Sequence, residues 1–364
     1  MKTIFAAALL VAGGLTVEAQ FQPKHLAVLR AGDGVVDLHL KQSPTFIDQF
    51  TPGVMNPGPS YTVSIPTNGP QTLFFNGHAS TEGMLARSTD RHLLTVAGYG
   101  GVSLLQSNGT PSLLDIGRAF CTVDSAGKVQ TTIYRDSGGV DKMNPRGMVT
   151  DGANNFWGCG NSLGTVYYQG GSSNEPVSFT DAPNSRDIKI IGNTVYVTLN
   201  GADGTASGLP AGIFSFVNAV GQPAPLPRSK DVKLNLVVQA VEPYTKIAGF
   251  DMNPQGTIAY IADTAAGIQK YVKTDGAWKL AYNFSIPQTL PDSDNRGKGC
   301  FGLTVDFSGP APIIYATTME GRDGSVNANR VIQIVDTNAA AVVTTLAQAP
   351  ANIVYRGIDF TPEP

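Results

Sequence analysis

The chain has 364 residues with 25 Lys and Arg against 28 Asp and Glu, and a net charge of −3 gives it no basic face for general nucleic-acid binding. Its 41 glycines and 24 prolines disfavour helices and suit short strands joined by tight turns. Three cysteines, Cys121, Cys159 and Cys300, match no zinc spacing and cannot all pair, so they read as buried free thiols and stability is assigned to a sheet core.

Residues 1–19 read as a secretory signal peptide: Lys2 precedes an apolar run, and small residues lead to a cleavage site after Ala19. The run is shorter than the ~20 apolar residues of a membrane span, and no other stretch approaches that length. The expectation is a secreted monomer, without a membrane partner, whose residues 20–364 form one domain.

Strands are then predicted at Lys24–Arg30, Thr45–Phe50 and Tyr61–Ile65, with a Gly/Pro-rich turn at Thr51–Pro59. A second unit covers Gly83–Asp90, His92–Tyr99, Ala119–Asp124 and Val129–Arg135. The third covers Gly147–Asp151, Asn155–Cys159, Thr165–Gln169 and Val177–Thr180. The fourth covers Asp187–Ile191, Thr194–Leu199, Gly212–Val217 and Leu234–Gln239. The fifth runs Gly249–Met252, a turn at Asn253–Gly256, then Ile258–Ala262, Ile268–Val272 and Trp278–Phe284. The sixth runs Gly302–Phe307, Ile313–Thr317, Arg330–Val335 and Val342–Leu346.

One phrase opens the first strand of each unit: Arg356-Gly357-Ile358-Asp359, Arg146-Gly147-Met148-Val149, Ala248-Gly249-Phe250-Asp251 and Phe301-Gly302-Leu303-Thr304. Looser copies are Glu82-Gly83-Met84-Leu85 and Arg186-Asp187-Ile188-Lys189, the latter with Asp in place of glycine. A unit recurring every roughly 40 to 70 residues points to an all-β β-propeller. The count is six blades, or seven if Val35–Thr45, Leu104–Gly117 or Gly221–Lys233 holds another. The three strands before Gly83 lack a fourth, which Tyr355–Thr361 supplies; Val28 is therefore expected beside Ile358, closing the ring in one blade.

The stretch Met252-Asn253-Pro254-Gln255-Gly256-Thr257-Ile258-Ala259-Tyr260-Ile261-Ala262-Asp263 resembles a blade motif widespread in the gluconolactonase and strictosidine-synthase-like propellers. That resemblance implies a metal held by a Glu at the start of an inner strand, together with Asn and Asp residues from other blades. Glu82 resembles the first of these. Its Asn and Asp partners cannot be placed by motif, so no metal ligand is assigned and the cofactor stays open, a divalent cation such as calcium being the candidate.

Propellers bind ligands where the inner strands begin. The residues before the repeat glycine, or before Asp187 where it replaces that glycine, are Glu82, Arg146, Arg186, Ala248, Phe301 and Arg356. Three guanidinium groups in one ring repel one another and suit carboxylates, sulfates or phosphates. The alternative is a network in which Asp151, Asp187 or Asp359 pairs with these arginines and ties blades together. His78, just before Glu82, adds a group that titrates near neutrality; Tyr355 adds a phenol and Lys246 an amine. The loops 292–298 and 320–324 read as solvated and charged rather than calcium-binding.

No zinc-protease helix or P-loop is present in the sequence. Two functions follow from these residues. One is a lyase or hydrolase on a carboxylate-bearing or uronic-acid carbohydrate, or a lactone, with Arg146, Arg186, Arg356, Phe301 and Lys246 binding while Glu82, His78 and Tyr355 move protons. The other is a non-catalytic extracellular recognition or adhesion module.

Overall fold

The computed structural model describes residues 20–364 apart from 39–41, 78, 102–115, 135–142, 162–163, 171–175, 180–183, 202–207, 242–245, 288–297 and 321–328. The proposed signal peptide, His78, most of the 292–298 loop and 321–324 therefore lie outside the described residues.

Six four-stranded antiparallel sheets follow one another along the chain. The first blade holds β1 (Leu26–Ala31), β2 (Thr45–Phe50) and β3 (Tyr61–Ser64). The second is β4 (Leu85–Arg87), β5 (Leu93–Gly100), β6 (Gly117–Asp124) and β7 (Val129–Tyr134). The third is β8 (Pro145–Thr150), β9 (Asn155–Gly160), β10 (Thr165–Gln169) and β11 (Val177–Ser178). The fourth is β12 (Ser185–Ile191), β13 (Thr194–Leu199), β14 (Gly212–Asn218) and β15 (Val232–Gln239). The fifth is β16 (Ile247–Met252), β17 (Ile258–Asp263), β18 (Gly267–Thr274) and β19 (Ala277–Phe284). The sixth is β20 (Cys300–Asp306), β21 (Ile313–Thr318), β22 (Arg330–Val335) and β23 (Val343–Gln348). β24 (Val354–Phe360) returns to the first blade as its innermost strand, in the order β24-β1-β2-β3.

The closure has the expected register, with Val28 opposite Ile358 and Leu26 opposite Phe360. Each inner strand touches the next around the axis, β24 to β4, β8, β12, β16, β20 and back to β24. The fold is a six-bladed β-propeller. The stretch 221–233 runs from a turn into β15, and the described part of 35–45 connects β1 to β2, so neither adds a blade.

Local chemistry fixes the short turns. Gly192-Asn193 and Asp275-Gly276 join strands with both residues at positive φ, 54° and 61° in the first and 54° and 80° in the second. That is the two-residue hairpin turn whose twist matches the flanking strands. Asn253 closes the turn before β17, its Oδ1 accepting from the Thr257 and Ile258 amides at 2.8 Å each.

The inner strands come together by backbone contact. A Cβ on Gly357 would lie 2.2 Å from the Leu85 amide nitrogen, and one on Gly302 would lie 2.6 Å from the Arg356 carbonyl. The repeat glycines are therefore steric, since only a missing side chain lets neighbouring inner strands approach this closely. Second strands tie the same layer: Thr198 Oγ1 donates to the Ala248 carbonyl at 2.9 Å, and Thr95 Oγ1 to the Met148 carbonyl at 2.6 Å. Between blades the alternate side chains form apolar clusters, one around Trp157, Val197 and Phe214 and another around Tyr260, Ile314 and Ile332. Cys121, Cys159 and Cys300 are buried free thiols inside this packing, as expected from the sequence.

Candidate functional site

The ring positions do come together at the axial end where the inner strands begin, and burial sorts them. Glu82 is 4% exposed, Arg146 5%, Arg186 9% and Arg356 0%, so Arg186 is the most accessible of the arginines and Arg356 is sealed in. Ala248 and Phe301 join Met84 and Met319 in a buried apolar cluster that forms the uncharged part of the ring.

Arg356 is a strut. Its Nη1 donates to the carbonyls of Ala79 and Glu82 at 2.9 and 2.8 Å, and its Nη2 to Asn76 at 3.1 Å and Gly77 at 3.4 Å. Four hydrogen bonds from its two terminal nitrogens thus hold Asn76, Gly77, Ala79 and Glu82 on the approach to β4, while its Nε is buried without a partner among the described residues. Burial lowers the guanidinium to about 10, and Glu82 and then Tyr99 pull it back up.

Glu82 accepts from the Tyr99 hydroxyl at 2.8 Å and from the Asn76 amide at 3.2 Å. Burial pushes its carboxyl upward, against Arg356, the two hydrogen bonds and Arg146. Tyr99 is driven above its ordinary value by burial and then by Glu82. Tyr99 was not singled out in the sequence; only its place on a second strand beside Glu82 could have found it.

Arg146 Nη1 donates to Asn184 Oδ1 at 2.6 Å and to the Ser185 carbonyl at 2.9 Å, both neutral oxygens. Its Nε is buried without a hydrogen-bond partner among the described residues. Arg186 is lowered to about 9 by burial and next by Arg146, so these two cations share one electrostatic neighbourhood.

A second polar layer lies three residues further along the inner strands, two past the glycine position, with a bulge between Ser185 and Ile188, Ile247 and Phe250, and Cys300 and Leu303 shifting the register between the two layers. It contains Lys189, Asp251, Thr304 and Asp359, with Asp187 filling the place of a repeat glycine. Each aspartate staples a neighbouring blade. Asp187 Oδ2 accepts from the Phe250 amide at 3.3 Å, Asp251 Oδ2 from Val305 at 2.8 Å, and Asp359 Oδ2 from Arg87 at 2.8 Å. Lys189 Nζ crosses to the Leu303 carbonyl at 2.8 Å and lies 3.8 Å from Asp251 Oδ2. Burial works against its charge, but Asp251, Asp359 and Asp187 outweigh it and raise the amine. Burial raises Asp187 to about 7.

The arginine–aspartate network weighed from the sequence is therefore replaced by two separate ones. Asp151 instead caps its own turn, accepting from the Ala153 and Asn155 amides at 2.8 and 3.2 Å. Tyr355 faces away from the channel: strand alternation opposes it to Arg356, and it packs edge-on against Phe50 at 5.5 Å, buried between blades. Lys246 stands exposed just before β16, with its amide donating to Asp263 Oδ2 at 2.8 Å. Glu320 is not solvated; it is buried and pairs with Arg330 at 2.8 Å.

The metal that the family resemblance implied does not fit these residues. The charges nearest Glu82 are guanidinium groups, the three inner aspartates surround an ammonium, and no group of metal ligands exists among the described residues. No step is assigned to a metal here.

Strand direction puts most long connections at the arginine end. The described strand ends that flank 32–44, 65–84, 101–116, 135–144, 200–211, 285–299 and 319–329 all lie there. The opposite end carries tight turns such as 192–193 and 275–276, with 51–60 and 219–231 as its long exceptions. Binding residues concentrate on long loops held by a rigid scaffold, which marks the arginine end as the candidate functional face.

No protein-family model matches the chain, and no curated protein matches it. Among solved structures it is similar to a chain of the nidogen/laminin complex, at 12% identity and a TM-score of 0.52, over 92% of this chain and 97% of that one. It is also similar to a 6-phosphogluconolactonase-like protein from Bacteroides uniformis, at 13% identity and a TM-score of 0.47, over 90% and 83% of the two chains. A similar protein from Bacteroides fragilis matches at 11% identity and a TM-score of 0.43, over 92% and 98%. At such identities the likeness extends to the fold and no further.

Proposed function

We propose that this is a secreted propeller that binds a small anion, a carboxylate-bearing or uronic-acid sugar or a lactone-derived acid, at the arginine end of its channel. The observation that carries the reading is the juxtaposition of Arg146 and Arg186 at the ring that also holds the apolar Phe301 and Met84 cluster, Arg186 being the least buried of the three ring arginines at 9% exposed. Arg356 takes no part in contact, because it is wholly buried and both terminal nitrogens are spent on the carbonyls of 76, 77, 79 and 82. Two guanidinium groups sharing one neighbourhood favour an anion that bridges them, and planar forks match a carboxylate bidentately. The signal-like segment 1–19 supports export.

If the ligand is a substrate, Glu82 is the acid–base group of a hydrolase or lyase step, since its buried carboxyl is biased toward holding a proton. Binding without turnover makes the protein a recognition module instead.

Thermal scans with galacturonate, glucuronate, sulfate and phosphate test the reading. A ligand at a hundred times its dissociation constant adds about 2.7 kcal/mol of stability. The expected result is an anion-dependent rise in Tm, larger at low salt, that disappears in Arg186→Met. No shift with any anion, or a shift that survives Arg186→Met, would refute it.

A further inference from the structure

A second concave site lies apart from the arginines. A groove of about 720 Å³ opens between the fourth and fifth blades, where the β13–β14 and β15–β16 connections meet the outer strands of the fifth blade. Its walls include Leu209, Gln239, Val241, Tyr271, Trp278 and Leu280. It runs along the flank between the two blades, from Gly201, Leu209 and Val241 at the arginine end to Trp278 beside the 275–276 turn, and its volume is that of a small-ligand site.

We propose that this groove binds an uncharged sugar ring, stacked on Trp278 and hydrogen-bonded by Gln239. The inference does not rest on the arginine cluster.

Three observations converge on that ligand class. Among the described residues that line the groove, the Tyr271 phenol is the sole ionisable group, and the rest of the wall is apolar apart from Gln239 and backbone. Trp278 is half-buried, which leaves ring surface for the C–H face of a pyranose, and the exposed Gln239 amide offers two donors and an acceptor for hydroxyls. The wall is also fixed in advance. The Tyr271 hydroxyl donates to Gln269 Oε1 at 2.7 Å and accepts from the Val241 amide at 3.0 Å, while Gln269 Nε2 donates to the Val241 carbonyl at 3.2 Å. Gln269 is wholly buried, so a polar side chain inside the blade is spent on holding the 240–241 backbone in place. Lys273, the cross-strand partner of Trp278, stands 5.9 Å from its ring centroid and steadies the indole. Rigid aromatic surface beside an adaptable amide recognises an amphipathic ring; a wholly apolar ligand would leave the amide unused.

The chain supplies its own probe. It has two tryptophans, and Trp157 is fully buried, so a ligand-induced change in tryptophan emission reports on Trp278. The full chain is titrated with glucose, galactose, cellobiose and chitobiose to about 50 mM, because a one- or two-ring ligand on an open groove binds weakly. The expected result is a saturable change with at least one of them, unchanged in Arg186→Met. It should be lost in Trp278→Ala and about five-fold weaker in Gln239→Ala. Calorimetry on Trp278→Phe, which keeps a stacking face, should retain binding and covers the case in which the alanine variant folds poorly. A response to none of the four sugars, one that survives Trp278→Ala, or one abolished by Arg186→Met would overturn the proposal. So would an apolar dye taken up at Trp278 that no sugar displaces.

Discussion

Asp187 makes the channel layer sensitive to pH in a direction opposite to ordinary surface carboxylates. Its folded value of about 7 lies above the unfolded reference of 3.8, with burial the leading cause and Lys189 opposing it. Between those values the folded protein holds a proton that the unfolded chain has released, so stability falls as pH rises through the window and levels off above it. A gap of about three units at about 1.4 kcal/mol each amounts to about 4 kcal/mol, of which about 2–3 kcal/mol is lost between pH 5 and 7.5. Asp187→Asn removes the titration while preserving shape. It also replaces one of the oxygens that accept from the Ile188 and Phe250 amides, a pH-independent cost of about 1–3 kcal/mol. Urea unfolding of both proteins across pH 5 to 8 isolates the residue, because the upward shifts of Glu82, Asp48, Asp251 and Asp263 cancel in the difference. The wild type should lose its advantage over the variant steadily as pH rises. A difference that stays flat, or grows with pH, would show that Asp187 is ionised throughout and that Lys189 holds it so.

Two further substitutions test the ring. Gly357→Ala puts a Cβ 2.2 Å from the Leu85 nitrogen and strains the Gly357 to Gly83 backbone bond of 2.7 Å, so it should cost about 3 kcal/mol or more in urea unfolding; a near-neutral result would mean β24 and β4 can separate freely. Arg356→Met keeps the buried stem but strips the carbonyls of 76, 77, 79 and 82 of their donor and Glu82 of its nearest cation, at a cost of about 3–5 kcal/mol in urea unfolding and more than Arg186→Met, whose side chain is less deeply buried; equal losses would make Arg186 structural too.

The blade plan was legible because a propeller writes itself as a repeat. The glycine phrase located the inner strands, and the alternation after it placed Val28 beside Ile358. The same phrase also held the inner layer, since Lys189, Asp251, Thr304 and Asp359 all stand two places past the glycine position. What it could not carry was depth along a side chain. Arg146, Arg186 and Arg356 occupy equivalent positions, yet one gives both terminal nitrogens to carbonyls of the connection that leads into β4. Tyr99 reaches Glu82 from a second strand, and Glu320 finds Arg330 across β21 and β22, because a partner distant in sequence leaves no local pattern. Tyr355 is a plainer case: adjacent residues on a strand face opposite ways, so it could not share a channel with Arg356.

The closure through β24 also sets a timetable for synthesis. β1 begins at residue 26 and β24 at residue 354, so 328 residues separate strands that must pair. At about 5–20 residues per second, a ribosome makes the second of them roughly 15 to 65 seconds after the first. Throughout that interval β1 offers a bare hydrogen-bonding edge, and β4 and β20 lack the strand that fits between them. An unpaired edge of this kind templates association with other chains. The nascent protein therefore has a long period in which a holding chaperone or rapid transfer away from its neighbours decides between a closed disc and an aggregate.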